Sequence, residues 1–409
     1  MNDKYKKPEL VAPAGNWSLL KSAVENGADS VYFGVKGFNM RDTADNFDLL
    51  EMGKVMDYLR DNGKKGYLTL NVIIFDKELD KVRKILEKAR KSGVDGVILW
   101  DMAVLKIARG LGLDIHLSTQ ASVSNIESLK YYASIGVKRI VLARECTLGD
   151  IRAITKYIED KKIKCGIEVF IHGAMCVSIS GRCFLSQLSF GKSANRGECL
   201  QPCRREYAII DTDNELEYIL GKNYVLSPRD LCTIDILGKL IDSGIHAFKI
   251  EGRARSPEYV KVVTSAYREA IDAFFLGKLN GKTVESLSGR IREVYNRGYS
   301  HGFFDGEPEG WISYSLGNEY EKVFVGEVVK FYKKISVAEI KVRKGGLKRG
   351  QTILVTGKTT GAHFTEVSEL EKDHRAIDEA VRGELAALKV PFSVRPGDNV
   401  FLWRRRSDI

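Results

Sequence analysis

With 409 residues, 44% of them hydrophobic, the chain is long enough for two domains and a large core, and its composition is that of a soluble globular protein. No run is long enough to span a membrane, the start MNDKYKKPEL lacks the apolar core of a signal peptide, and no low-complexity or heptad segment occurs. Net charge is +10, and residues Glu321–Ile409 hold 18 Lys and Arg against 12 Asp and Glu. Such a surplus attracts a polyanion such as RNA, although an ordinary soluble basic surface also accounts for it.

The first 275 residues alternate short apolar strands with amphipathic helices. Strands are predicted at Glu9–Ala12, Ser30–Gly34, Gly66–Val72, Val97–Trp100, Asp114–Leu117, Arg139–Leu142, Ile167–Ile171 and Ala247–Ile250. Helical patterns lie between them, as in Trp17–Asn26, Lys77–Ser92 and Ile126–Ser134. Gly27, Gly93, Gly136 and Gly244 stand where helix C-terminal caps are needed. Eight β/α units in 275 residues predict a TIM-type (β/α)8 barrel. The competing open doubly wound sheet lacks a G-x-G-x-x-G after its first strand.

In a barrel of this kind function sits where strands end. Those positions hold Pro13 to Gly15, Asn71, Ser118 to Gln120, Arg144, Glu145, His172, Glu251 and Arg253, and the loop after strand two adds Phe38 to Arg41. The guanidinium fork matches a carboxylate, so Arg253, Arg41 and Arg144 are candidate anchors for an acidic ligand. Asn71, Gln120 and Glu251 are further candidate substrate contacts, and Glu251 is a candidate ion-pair partner for Arg253. His172 and Glu168 are the candidate catalytic groups, with a packed, hydrogen-bonded histidine as the plainer reading of His172.

The seventh strand leads into EVFIHGAMCVSISGRCFLSQLSFGKSANRGECLQPCRREY, Glu168 to Tyr207, which holds four of the seven cysteines: Cys176, Cys183, Cys199 and Cys203. Glycines break the stretch into a long loop, about 173–206, able to fold back and bring four thiols together. In the reducing cytosol expected for a chain without export signals, such clusters serve metal or redox chemistry. The spacing lacks the short C-x2-C knuckles of zinc sites, so an iron–sulfur cluster, zinc and unrelated buried thiols all stay open. Cys232 is a reserve ligand, and Cys146 and Cys165 read as packing thiols. A hairpin is expected over Thr212–Val225, and Ser227 or Asp230 is a candidate helix cap.

Residues 276–319 read as a connector. From Tyr320 onward strands alternate with Gly and Pro turns, which predicts a small antiparallel β-barrel over 320–409. Phe331 to Lys334 and Trp403 to Arg406 would give it aromatic and basic contacts for RNA; a lid or dimer surface is the alternative.

The residues Glu168, Phe170, Gly173 to Cys176, Gly181, Cys183 and Ser186, with NRGECLQPCRREY, VAPAGN and FKIEGRARSPEYV, resemble the signature of the peptidase U-32 family, the collagenase-like peptidases. The resemblance covers most of the chain. It implies a [4Fe-4S] cluster on Cys176, Cys183, Cys199 and Cys203, and prephenate as co-substrate in the RNA-modifying members. It further implies hydroxylation of a pyrimidine at C5: the wobble uridine of tRNA, or alternatively a cytidine of 23S rRNA. A homologous partner subunit is a further expectation. The family title suggests a peptidase, but the six histidines form no H-E-x-x-H and no G-x-S-x-G elbow occurs. A non-catalytic RNA-binding protein with a structural metal site is the third reading.

Overall fold

A computed structural model describes residues 6–205, 208–211, 216–219, 227–306 and 319–405. Eight parallel strands close into a barrel: β1 (Glu9–Ala14), β2 (Ser30–Phe33), β3 (Lys65–Leu70), β4 (Gly96–Leu99), β5 (Ile115–Leu117), β6 (Arg139–Val141), β7 (Gly166–Gly173) and a strand at Ala247–Ile250. That last strand pairs with β1 on one side, Glu9 opposite Ala247, and with β7 on the other, Ala247 opposite Glu168. All eight match the expected positions. Two insertions precede it. A hairpin of β8 (Ala208–Asp211) and β9 (Leu216–Ile219) starts four residues before the expected one, the rest of which lies outside the described residues. Then β10 (Asp230–Cys232) pairs antiparallel with β7, so the Ala247–Ile250 strand becomes β11. A two-residue strand, β12 (Tyr299–Ser300), runs beside β10.

Strand residues that are apolar toward the helices form the main core, with Leu10, Phe33, Leu68, Leu99, Ile140 and Phe248 all fully buried. Inside the barrel a small apolar cluster of Val11, Tyr32, Tyr67, Ile98 and Ala247 accompanies a set of charged side chains. The fully buried Glu168 takes Lys249 at 2.6 Å and Arg139 at 3.2 Å, and Arg139 also grips Glu9 at 2.6 Å. Burial raises the Glu168 carboxyl, but the two cations outweigh it and hold the group ionised. Glu168, a candidate catalytic group by sequence, therefore belongs to the inner ion network: it points into the barrel below the rim, where the two cations hold it.

The stretch 276–319 holds the helix Gly281–Glu293, which packs on the helix Pro257–Phe275 through Leu287, Ile291 and an Arg290–Glu269 pair at 2.6 Å. Residues 307–318 lie outside the description. The C-terminal part is an eight-stranded antiparallel sheet around its own core of Val325, Ile340, Ile353, Leu388 and Val400. Its strand Gly361–Glu366 docks on two barrel helices, where Lys261 donates to the Ala362 carbonyl at 2.9 Å and Lys322 pairs with Glu258 at 2.7 Å. Among the described residues no helix is long and apolar enough to cross a membrane.

Candidate active site: a cysteine cavity over the barrel mouth

The chain leaves β7 through Gly173, whose φ of +106° and 2.7 Å approach of the Glu251 carbonyl to any added Cβ admit only glycine. The cysteine loop then crosses the barrel mouth and is pinned to the loops after three strands. Asn195 accepts from the Cys183 amide at 2.8 Å, Arg182 donates to the Gln120 carbonyl at 3.0 Å, and Arg196 pairs with Glu78 at 2.8 Å. Gly197 accepts from the Asp42 amide at 3.1 Å. A six-residue helix, Leu185–Phe190, lies in the middle of the loop, and Ser186 donates toward the Cys199 sulfur at 4.0 Å.

These contacts leave a cavity of about 310 Å³ lined by Cys176, Cys183, Cys199 and Cys203 together. All four are free thiols. Burial pushes the Cys183 and Cys203 thiols up, against the lowering pull of the Leu185 amide on the one and of Arg204 on the other, and the neighbouring sulfurs add to the rise. A cation among them would reverse that repulsion. Among the described residues no three Cys, His, Asp or Glu side chains stand at the spacing of a bound metal ion. The thiols thus share a cavity without forming a ready cage. Cys232 is outside it, buried, with Tyr267 donating to its sulfur at 3.8 Å. Burial raises its thiol to about 11, and those of Cys146 and Cys165 to about 12.

The other walls are cationic. Arg41, Arg144, Arg204, Arg255 and Arg297 line the same cavity, against Glu251. Arg41 pairs with Glu251 at 3.0 Å. Burial raises the Glu251 carboxyl, yet Arg41, Arg255 and Arg144 together keep it ionised. Arg144 lies over the Phe170 ring at 4.1 Å and donates to the Ala174 carbonyl at 2.7 Å, while its buried Nε lacks a partner. Asp230, 1% exposed, holds two guanidiniums at once: Arg255 at 2.9 Å and Arg297 at 3.1 Å. The ring of Tyr295 sits against both, at 4.8 and 5.2 Å. Asp230 is therefore an arginine clamp and not a helix cap, because β10 carries it under the cavity floor. Ser227 likewise accepts from Arg204 at 2.7 Å.

A narrower space of about 50 Å³ continues down the barrel axis, lined by Asn71, Gln120, Arg253, Lys249 and Tyr32, and it shares Arg41, Arg144 and Glu251 with the cavity above. Arg253 does not pair with Glu251: it donates to Asn39 at 2.8 Å and Thr69 at 3.1 Å, and burial pushes it down to about 10. His172 lines neither space. It is 1% exposed among Tyr259, Tyr267 and Tyr299, with Tyr267 Oη 3.3 Å from Nδ1. Burial lowers it to about 3, so the ring is neutral and stores no proton for the site. The expectation of a mouth histidine is corrected, because a bulge in the pairing of β7 with β11 skips Ile171 and breaks the alternation, so that His172 turns toward the helices.

The sequence pattern of Peptidase family U32 matches residues 15–312. The chain belongs to this family. Among its relatives, a protein named collagenase from Porphyromonas gingivalis strain W83 is 37% identical over 98% of this chain and 99% of its own length. The tRNA hydroxylation protein P1 of Bacillus subtilis is 34% identical, covering 92% of this chain and 90% of that protein. The 23S rRNA 5-hydroxycytidine C2501 synthase of Escherichia coli is 34% identical over 80% of this chain, which spans 49% of that longer protein.

In this U32 chain the residues that sequence reasoning missed are Arg204, Arg255, Arg297, Tyr295 and Asp230. Two of them, Arg204 and Arg255, stand inside motifs that carried the family resemblance, next to residues that were chosen. A separate cluster lies beside β12: His301 meets Asp235 at 2.9 Å and Asp305 at 2.6 Å. Burial opposes the charged ring, but its hydrogen bonds to the two carboxylates outweigh that and raise its pKa above 6.5. A raised folded value means that the stabilisation is full below pH 6.5 and fades as pH rises through that value. His301→Gln is expected to lower the thermal midpoint most in acid and least in alkaline buffer. A gap that is constant or grows with pH would contradict the clamp.

Proposed function

We propose that this chain hydroxylates an RNA base, forming 5-hydroxyuridine at the tRNA wobble position, with an iron–sulfur cluster held by Cys176, Cys183, Cys199 and Cys203 and prephenate as co-substrate. The observation that carries this reading is one cavity lined by four free thiols and five arginines. The donor set fits the cluster: thiolates are its usual ligands, and the loop that bears them is pinned at several points. When bound, such a group would supply electron transfer.

The chain's own residues supply the rest. Prephenate carries two carboxylates, and Arg255 with Arg297, oriented by Asp230, suits one while Arg41 and Arg144 suit the other. The loop roofs the barrel and limits water around the reacting base. The near full-length similarity to a protein named for tRNA hydroxylation supports tRNA over rRNA. For RNA contact by the C-terminal sheet, the hairpin tip is the better part: Tyr332 and Ile335 are exposed and Lys330 lies over the Tyr332 ring at 4.8 Å. Trp403 is already stacked on Tyr320 at 5.8 Å, Arg404 and Arg405 pair with Glu321 and Glu319, and Arg406 lies outside the described residues.

A peptidase reading draws on the relative named collagenase. Yet among the described residues no histidine lines the cysteine cavity, so none of its thiols has an imidazole base beside it. Mass spectrometry of tRNA nucleosides from a deletion strain tests the proposal. Loss of 5-hydroxyuridine and of species built on it, restored by the intact gene but not by a Cys199→Ser copy, is expected. Unchanged nucleosides would end the tRNA reading.

A further inference from the structure

The outer side of the cysteine loop exposes apolar side chains beside an arginine. Phe184 is 67% exposed and Leu188 81%, one helical turn apart on the same face. Phe190 is part-exposed with the Arg205 guanidinium over its ring at 4.3 Å. Of the five Lys and Arg in residues 182–205, Arg182 and Arg204 turn inward onto the Gln120 carbonyl and Ser227, Arg196 pairs with Glu78 and Lys192 with Glu198, so Arg205 is the cation this face presents. Neighbouring residues Cys183, Leu185 and Ser186 line the cavity itself, so this face forms its rim.

We infer that this rim is a docking platform for unpaired RNA, in which bases stack on Phe184 and Leu188 and the Arg205–Phe190 pair holds a flanking phosphate. The inference rests on the RNA reading above and deepens it by naming the surface and the strandedness. Position decides the occupant. The face borders the cavity that receives the base, and exposed aromatic rings with an arginine laid over one of them match bases and a phosphate. The form of the RNA follows from the concave cavity. A base enters it only out of the stack, and an unpaired loop makes that transfer less costly than a duplex does.

The test uses the full-length chain and two fluorescein-labelled synthetic RNAs, a hairpin with an unpaired loop and the same sequence closed as a duplex. The double variant Phe184→Ala/Leu188→Ala is expected to bind the hairpin about tenfold more weakly and the duplex with unchanged affinity. Arg205→Ala is expected to lower the salt slope for the hairpin by about one. Phe184→Trp keeps a ring in place and should show quenched fluorescence when the hairpin binds. Thermal midpoints of the variants check that the fold is kept. Wild-type hairpin affinity in the double variant would overturn the platform while leaving the hydroxylase reading intact. So would conversion of a wild-type dimer to monomer with RNA binding unaffected, which would make the rim a protein interface. A wild-type chain that binds neither RNA would overturn both.

Discussion

Cys176→Ala is expected to leave the purified protein with less than half of its iron and acid-labile sulfide, and to lower hydroxylation by at least about a hundredfold. Four thiols line the cavity, and a cubane cluster keeps its full charge balance only with its ligands in place. With one sulfur gone, the remaining three stand beside Arg204 and Arg144, which orient but cannot ligate. The controls are Cys146→Ala and Cys232→Ala. Both thiols are buried away from the cavity, so these variants should keep their iron. Iron and sulfide analysis after anaerobic purification, with the absorbance shoulder in the blue, reads the outcome. Full iron retention in Cys176→Ala, or its loss in Cys232→Ala, would replace the ligand set.

Glu168→Gln is expected to cost about 3–5 kcal/mol of stability, because it leaves Lys249 and Arg139 buried in the barrel without their shared counter-charge. For a barrel of this size that corresponds to a fall of roughly 10 °C in the thermal midpoint. Lys249 is 3% exposed and cannot swing out to water. The double variant Glu168→Gln/Lys249→Met should recover part of the loss, since it removes the stranded cation as well. Below the melting range, activity per folded molecule should stay near that of the parent. A large fall in kcat with little change in the melting curve would return Glu168 to the reaction.

The barrel was legible because each unit carries its own local signal. Apolar runs of strand length alternate with helical periodicity, and the glycines 27, 93, 136 and 244 do take positive φ at the helix ends. The mouth was legible for the same reason: a strand's last residue is known once the strand is. Asn71, Gln120, Arg41, Arg144, Glu251 and Arg253 duly line the two joined cavities. His172 failed this rule. A bulge in the pairing of β7 with β11, whose strand lies about 80 residues on, skips Ile171 and turns His172 into the helical layer. No local pattern near His172 announces that bulge.

By itself the amino-acid order determined the repeat of eight β/α units, the loop with its four thiols, and the basic β-domain that follows. These depend on periodicity, glycine placement and residue type, all properties of neighbours in the chain. Only the tertiary structure decided which charges meet. Asp230 reaches Arg255 across 25 residues and Arg297 across 67, Lys249 finds Glu168 across 81, and Arg253 turns to Asn39 instead of the nearby Glu251. A buried charge takes the partner that the closed barrel brings within hydrogen-bond reach, and that distance is set by the packing of strands far apart in sequence.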